Sequence, residues 1–303
     1  MTPSSPLNQR FVDETAVAAN RARLAGLNDP PWLNVEVARR MAERLTLFKR
    51  PPQRVVDWGA RLGGGGPLLM AAYPGASHVV VEPTESVAVH SRGALGAPWW
   101  AIWRSQSRST KVFVDSEPLK LSTDLIWSNM QLHAEKNPPA LFERWAQMLS
   151  PDGLVMFSCL GPGTVQALRA VYAGQGWPAP TVDFVDMHDL GDMLVRAGFA
   201  DPVMDQETLT IQWDSPQALC DDLRLLGGNV SPLRFRGLRT ARWMASLHRA
   251  LESLRGSGGK LTLDFEVVYG HAFKSALTRS VDGETRVPLE DIRRLMPSAR
   301  ASN

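Results

Sequence analysis

The chain has 303 residues, 44% of them hydrophobic and 21% charged, a balance that fits a packed core and argues against disorder. Against 31 acidic residues stand 33 Lys and Arg, so the net charge of +2 gives no reason to propose nucleic acid or an anionic membrane as the main partner. Cys159 and Cys220 have no Cys or His at ligand spacing, which excludes a disulfide scaffold and a structural metal site. With no basic-then-apolar leader and no run of eighteen apolar residues, the expectation is a cytoplasmic protein without a membrane span.

In chain order, residues 1–33 are polar and end in Asp29-Pro30-Pro31, which reads as a mobile N-terminal arm. A helix is predicted next, capped by Asn34, with Val37, Met41, Leu45 and Phe48 on its apolar face. Arg54 to Trp58 reads as a strand, followed by the glycine run Gly63 to Gly66 and a helical stretch from Leu68 to Tyr73. Further strands are predicted at His78–Val81, Lys111–Val114, Asp124–Trp127 and Leu154–Cys159, ending at or just before Glu82, Asp115, Ser128 and Leu160. Asn137-Pro138 carries good helix-start chemistry, and another helix should follow Pro162. Strands alternating with helices at this spacing imply βαβ units, a parallel sheet, and a ligand at the carboxyl ends of the strands.

The last third changes character. Glu207 to Trp213 alternates like a strand, and Leu261, Leu263, Phe265, Val267 and Tyr269 share one face of another. Between them lie two helical stretches, one begun by Ser215-Pro216 and one capped by Thr240. The expected organisation is an arm at 1–33, one α/β domain at 34–287 with a helical lid insertion at about 214–258, and a tail at 288–303 holding one short helix.

Three strand ends carry the chemistry. At the first, Asp57-Trp58-Gly59-Ala60-Arg61-Leu62-Gly63 supplies glycines that let the backbone turn tightly and approach a ligand. At the second, Glu82 can accept both hydroxyls of a ribose; at the third, Asp115 can accept from an adenine amino group. Each alone reads equally well as a turn or a solvated carboxylate, but three in consecutive order favour a nucleoside-containing ligand.

The segments Asp124-Leu125-Ile126-Trp127-Ser128-Asn129, Leu149-Ser150-Pro151-Asp152-Gly153, Phe157 to Thr164, Asp189 to Asp192 and Ala197-Gly198-Phe199 resemble a class I S-adenosylmethionine methyltransferase. With Phe265 to Lys274 they resemble, more narrowly, the malonyl-acyl-carrier-protein O-methyltransferases of biotin synthesis. The resemblance implies a Rossmann-like seven-stranded α/β sheet, S-adenosylmethionine as cofactor, and a malonyl-loaded acyl carrier protein as partner. It implies Asp57, Gly59 and Gly63 as the cofactor loop, Glu82 at the ribose and Asp115 at the adenine, with no metal. Asn129, His133 and Tyr269 are candidates on the substrate side; Trp99, Trp100 and Trp103 could line an acyl or docking surface, or simply pack. Two other classes remain open: a methyltransferase-like assembly factor of respiratory complex I, acting by hydroxylation or partner binding, and a degenerate non-catalytic domain. The second turns on Arg61, which stands where the family pattern Asp-x-Gly-x-Gly-x-Gly has its middle glycine. Its guanidinium either turns away, or pairs with the cofactor's own carboxylate, and lets the cofactor bind, the favoured outcome, or it fills the pocket.

Overall fold

A computed structural model describes residues 12–47, 50–95, 110–115, 119 and 121–275. Phe48, Trp99, Trp100, Trp103, the stretch just after Asp115 and the 288–303 tail lie outside the described residues.

The strands are β1 (Arg54–Trp58), β2 (Ser77–Glu82), β3 (Lys111–Val114), β4 (Thr123–Ser128), β5 (Leu149–Leu160), β6 (Phe199–Trp213) and β7 (Leu261–Lys274). They form one seven-stranded sheet in the order β3-β2-β1-β4-β5-β7-β6. β1 to β5 pair in parallel, while β7 runs antiparallel between β5 and β6. This is the class I methyltransferase architecture that the resemblance implies. The α-helices, in chain order, are α1 (Glu14–Ala25), α2 (Trp32–Ala42), α3 (Ala60–Gly63), α4 (Gly66–Ala72), α5 (Glu85–Leu95), α6 (Pro138–Met148), α7 (Gln166–Gly174), α8 (Met187–Arg196), α9 (Pro216–Leu225) and α10 (Ala241–Leu251).

The central strands read as unbroken apolar runs because both of their faces are covered. Successive side chains point to opposite faces, so Val55, Leu125 and Leu154 join one core with Leu33, Val37 and Met41 of α2. Their neighbours Val56, Ile126 and Val155 join a second core with Leu141, Phe142 and Trp145 of α6 and Leu190 and Leu194 of α8. Between β6 and β7, α9 starts at Ser215, whose hydroxyl accepts from the Ala218 N–H, and α10 starts at Thr240, which accepts from Trp243. Leu219, Leu247 and Leu251 of these helices are buried in the first core.

Two expectations are corrected. Within the segment read as an arm, residues 14–25 form a helix, whose N-cap Asp13 accepts from the Ala16 N–H. Its sequence has almost no amphipathic stripe, and tertiary contacts hold it instead. The Asp13 N–H donates to the Val230 carbonyl, Arg234 pairs with the Asp13 carboxylate, and Arg23 donates to the Arg224 and Gly227 carbonyls. Second, Asn34 is not a cap. α2 begins after Pro31, and Asn34 lies inside its first turn, where its side-chain amide donates to the Leu62 carbonyl at 2.9 Å.

Candidate active site

The carboxyl ends of β1, β2 and β3 bring Asp57, Glu82 and Asp115 together along one edge, as the register Trp58↔Val81 and Glu82↔Val114 requires. The chain then turns at Gly59 with φ +77°, a left-handed backbone that glycine adopts freely. Any Cβ at Gly59 would lie 2.5 Å from the Gln131 side chain, so this position needs glycine twice over. A Cβ at Gly63 would press the Asn129 carbonyl at 3.2 Å, so the loop runs flush against the segment after β4.

Asp57 is 4% exposed and Glu82 0% exposed. Glu82 Oε1 accepts from the Arg61 N–H at 2.8 Å and from the Ser91 hydroxyl at 2.6 Å. Its Oε2 and both oxygens of Asp57 have no hydrogen-bond partner among the described residues. A buried carboxylate oxygen without a partner costs free energy, so these atoms mark where donors of a ligand fit. Burial pushes the Asp57 carboxyl well above the usual carboxylate range, and the neighbouring Glu82 charge adds to the effect. Glu82 is also raised by burial, partly offset by the Ser91 and Arg61 donors. Asp115 is raised by burial against the opposing pull of Arg144, which sits 2.5 Å from its carboxylate and donates to its carbonyl at 2.8 Å.

Arg61 decides between the two outcomes left open. Its backbone lies in the right-handed helix α3, so the position needs no positive φ. Its guanidinium points to the C-terminal end of α1. Nε donates to the Ala25 carbonyl at 3.0 Å, and another nitrogen donates to Leu27 and reaches Asn28 at 3.5 Å. Arg61 therefore caps a helix end, where a cation is favoured, instead of filling the pocket.

Next to the strand ends lies a mostly apolar cavity of about 210 Å³. α1 supplies Val17, Arg21 and Leu24, the segment after β4 supplies Gln131 and His133, and Val165, Phe184 and Val230 close the far side. His133 lines this cavity, its ring 6.2 Å from that of Phe184 in an edge-on arrangement. Asn129 does not line it. Its amide donates to the Asn34 and Gly63 carbonyls at 2.7 and 2.6 Å, and its Oδ1 accepts from the Ser158 hydroxyl, so it ties α2, the glycine loop and β5 together. Tyr269 is also absent from the cavity wall. Its hydroxyl donates to Glu207, and the Arg44 guanidinium lies 4.0 Å from its ring centre, beside a separate hollow that includes Met204 and His271.

Arg21 was not found from the sequence. It is the one Lys or Arg side chain lining the cavity among the described residues, it has no hydrogen-bond or ion-pair partner among them, and it faces the charges of Glu135, Asp115 and Glu82. Nothing in its local pattern marks it, because its position follows from the docking of α1.

Residues 32–201 match a family model described as a methyltransferase domain. A malonyl-[acyl-carrier protein] O-methyltransferase from Gallionella capsiferriformans is 36% identical over 282 residues, covering 91% of this chain and 96% of its own length. One from Laribacter hongkongensis is 38% identical over 272 residues, covering 88% and 91%. Among solved structures, the YcgJ protein of Bacillus subtilis aligns with a TM-score of 0.52 at 14% identity over 79% of this chain and 98% of its own. The [4+2]-cyclase SpnF aligns at 0.51 with 14% identity over 88% and 98%. Likeness at that identity speaks for the fold alone.

Proposed function

The chain belongs to the methyltransferase domain family, and from that premise we propose that it methylates the free carboxylate of a malonyl thioester on acyl carrier protein, an early step of biotin synthesis in the cytoplasm. The observation that carries the reading is the match over about nine-tenths of the chain to malonyl-[acyl-carrier protein] O-methyltransferases. S-adenosylmethionine, when bound, supplies a methyl group on a sulfonium and takes up the electron pair of the broken carbon–sulfur bond as a neutral thioether.

In this reading, Gly59 and Gly63 let the backbone lie against the cofactor, and Glu82 Oε2 accepts from the ribose hydroxyls. Asp57, with both oxygens unpartnered, faces donors of the same ligand, and Asp115 holds the adenine end from beside Arg144. Substrate carboxylate enters the apolar cavity already ionised, so no proton has to be removed and no general base is required. Arg21 offsets the repulsion that Glu82, Asp115 and Glu135 would exert on an incoming carboxylate. The mostly apolar walls would limit water around the bound groups, which strengthens each of these charge interactions, and the residues that hold cofactor and substrate would supply catalysis by proximity. Arg61 turned onto α1 supports an open pocket over a blocked, non-catalytic one.

The test is incubation of the purified protein with S-adenosylmethionine and malonyl-acyl-carrier protein, followed by mass spectrometry of the carrier. A gain of one methyl is expected, together with rescue of a biotin-requiring strain lacking this step. Cofactor binding without either result would refute the substrate assignment.

A further inference from the structure

The small net charge hides one uneven stretch. From Leu223 to Leu251 the chain carries Arg224, Arg234, Arg236, Arg239, Arg242 and Arg249 and not one Asp or Glu. Arg234 and Arg236 share the Asp13 carboxylate. Arg239 stacks over the rings of Phe235 and Trp243, at 3.8 and 4.0 Å from their centres. Arg242 and Arg249 are exposed on α10, seven residues apart and so on one face, and neither has an ion pair among the described residues.

Apolar side chains sit among these cations. Leu233 is 78% exposed, Leu238 96% and Phe235 48%. A single exposed leucine needs no explanation, but three large apolar groups within six residues, interleaved with guanidinium groups, have the composition of a contact surface. The place is equally specific. Gly227 to Val230 line the cavity, and the basic, apolar segment continues directly from that rim. At about 210 Å³ the cavity is smaller than the usual small-ligand pocket, so it has room for the end of a substrate and not for the whole of a carrier-bound one.

We propose that residues 231–249 dock the carrier protein that presents the malonyl thioester, through an acidic face of that carrier. This rests on the proposed function. Positive charge on the rim steers an acidic partner and sets its register, while Leu233, Phe235 and Leu238 supply the apolar contact.

The test compares the parent with Leu238→Glu and with Arg242→Glu/Arg249→Glu, on malonyl-acyl-carrier protein and on malonyl-pantetheine, which carries no protein. For both variants KM for the carrier substrate should rise about tenfold, and for Arg242→Glu/Arg249→Glu its salt dependence should also weaken, since rim charges act mainly on encounter. The kcat, the KM for malonyl-pantetheine and S-adenosylmethionine affinity should stay at parent values, which a folding defect would not allow. An unchanged carrier KM in active variants overturns the docking surface and leaves the proposed function standing. If carrier KM is unchanged and only the parent sediments with phosphatidylglycerol vesicles, the surface is a membrane contact and the proposal fails. A parent that methylates neither substrate overturns the proposed function and the docking surface with it.

Discussion

Replacing Arg61 with glycine restores the motif of the family pattern, and the structure fixes what that should do. The guanidinium contacts three carbonyls at the end of α1. Hydrogen bonds from a charged group are worth roughly 1.5–3 kcal/mol, and partial exposure argues for the low end, so the anchor as a whole is worth about 2 kcal/mol. Glycine within a helix adds about 1 kcal/mol of cost. A loss of roughly 3 kcal/mol should lower Tm by about 6–12 °C for a chain of this size. α1 should also become protease-sensitive, because Arg61 is one of its few tethers. The backbone N–H that donates to Glu82 survives the change, so cofactor affinity should stay within about threefold, or roughly 0.7 kcal/mol. Thermal unfolding and calorimetric titration with S-adenosylmethionine check both halves. If Arg61→Gly binds the cofactor tenfold or more tightly with Tm unchanged, the guanidinium plugs the pocket and the reasoning is wrong.

Glu82→Gln keeps an acceptor for Ser91 and the Arg61 N–H but removes the charge proposed to face the ribose; S-adenosylmethionine should bind about ten- to a hundredfold more weakly, with Tm of the ligand-free protein unchanged or higher. Asp57 has a folded-state pKa raised above its unfolded value, so its destabilising effect is absent below the unfolded value and complete above the folded one. The Tm gain of ligand-free Asp57→Asn over the parent should therefore be larger at pH 7.5 than at pH 4, and equal gains would contradict the buried charge. Asn129→Ala removes a donor from the Asn34 and Gly63 carbonyls and an acceptor from the Ser158 hydroxyl, and should cost about 3 kcal/mol by denaturant unfolding; a stable variant with only a raised substrate KM would return Asn129 to the substrate site. Tyr269→Phe should leave kcat within about twofold, since its hydroxyl meets Glu207 away from the cavity, and a large kcat loss would contradict that placement.

Local pattern carried much of the fold and the cluster of acids at the strand ends. The apolar runs at Arg54–Trp58 and Thr123–Ser128 are strands because residues such as Val55, Val56, Leu125 and Ile126 are buried on both faces. Gly59 and the strand-end acids Asp57, Glu82 and Asp115 were legible because a turn needing positive φ and a carboxylate closing a strand leave marks within a few residues. Tertiary structure alone decided the rest. α1 has a weak apolar stripe, and its helix is set by Arg61, Arg234 and the 224–230 carbonyls, partners between 34 and more than 200 residues away in sequence. The role of Arg61 could not be read from a motif that asks only whether a glycine is present; its backbone φ and the carbonyls it meets answer that. Asn129 and Tyr269 follow candidate strands as plausibly as His133 does, and only packing sends the first into a buried network, the second to another hollow, and His133 into the cavity. A sequence fixes which side chains share a strand face or a helix stripe. Which of them meet across the edge of a sheet depends on how distant segments dock, and Arg21 reaches the site by that route.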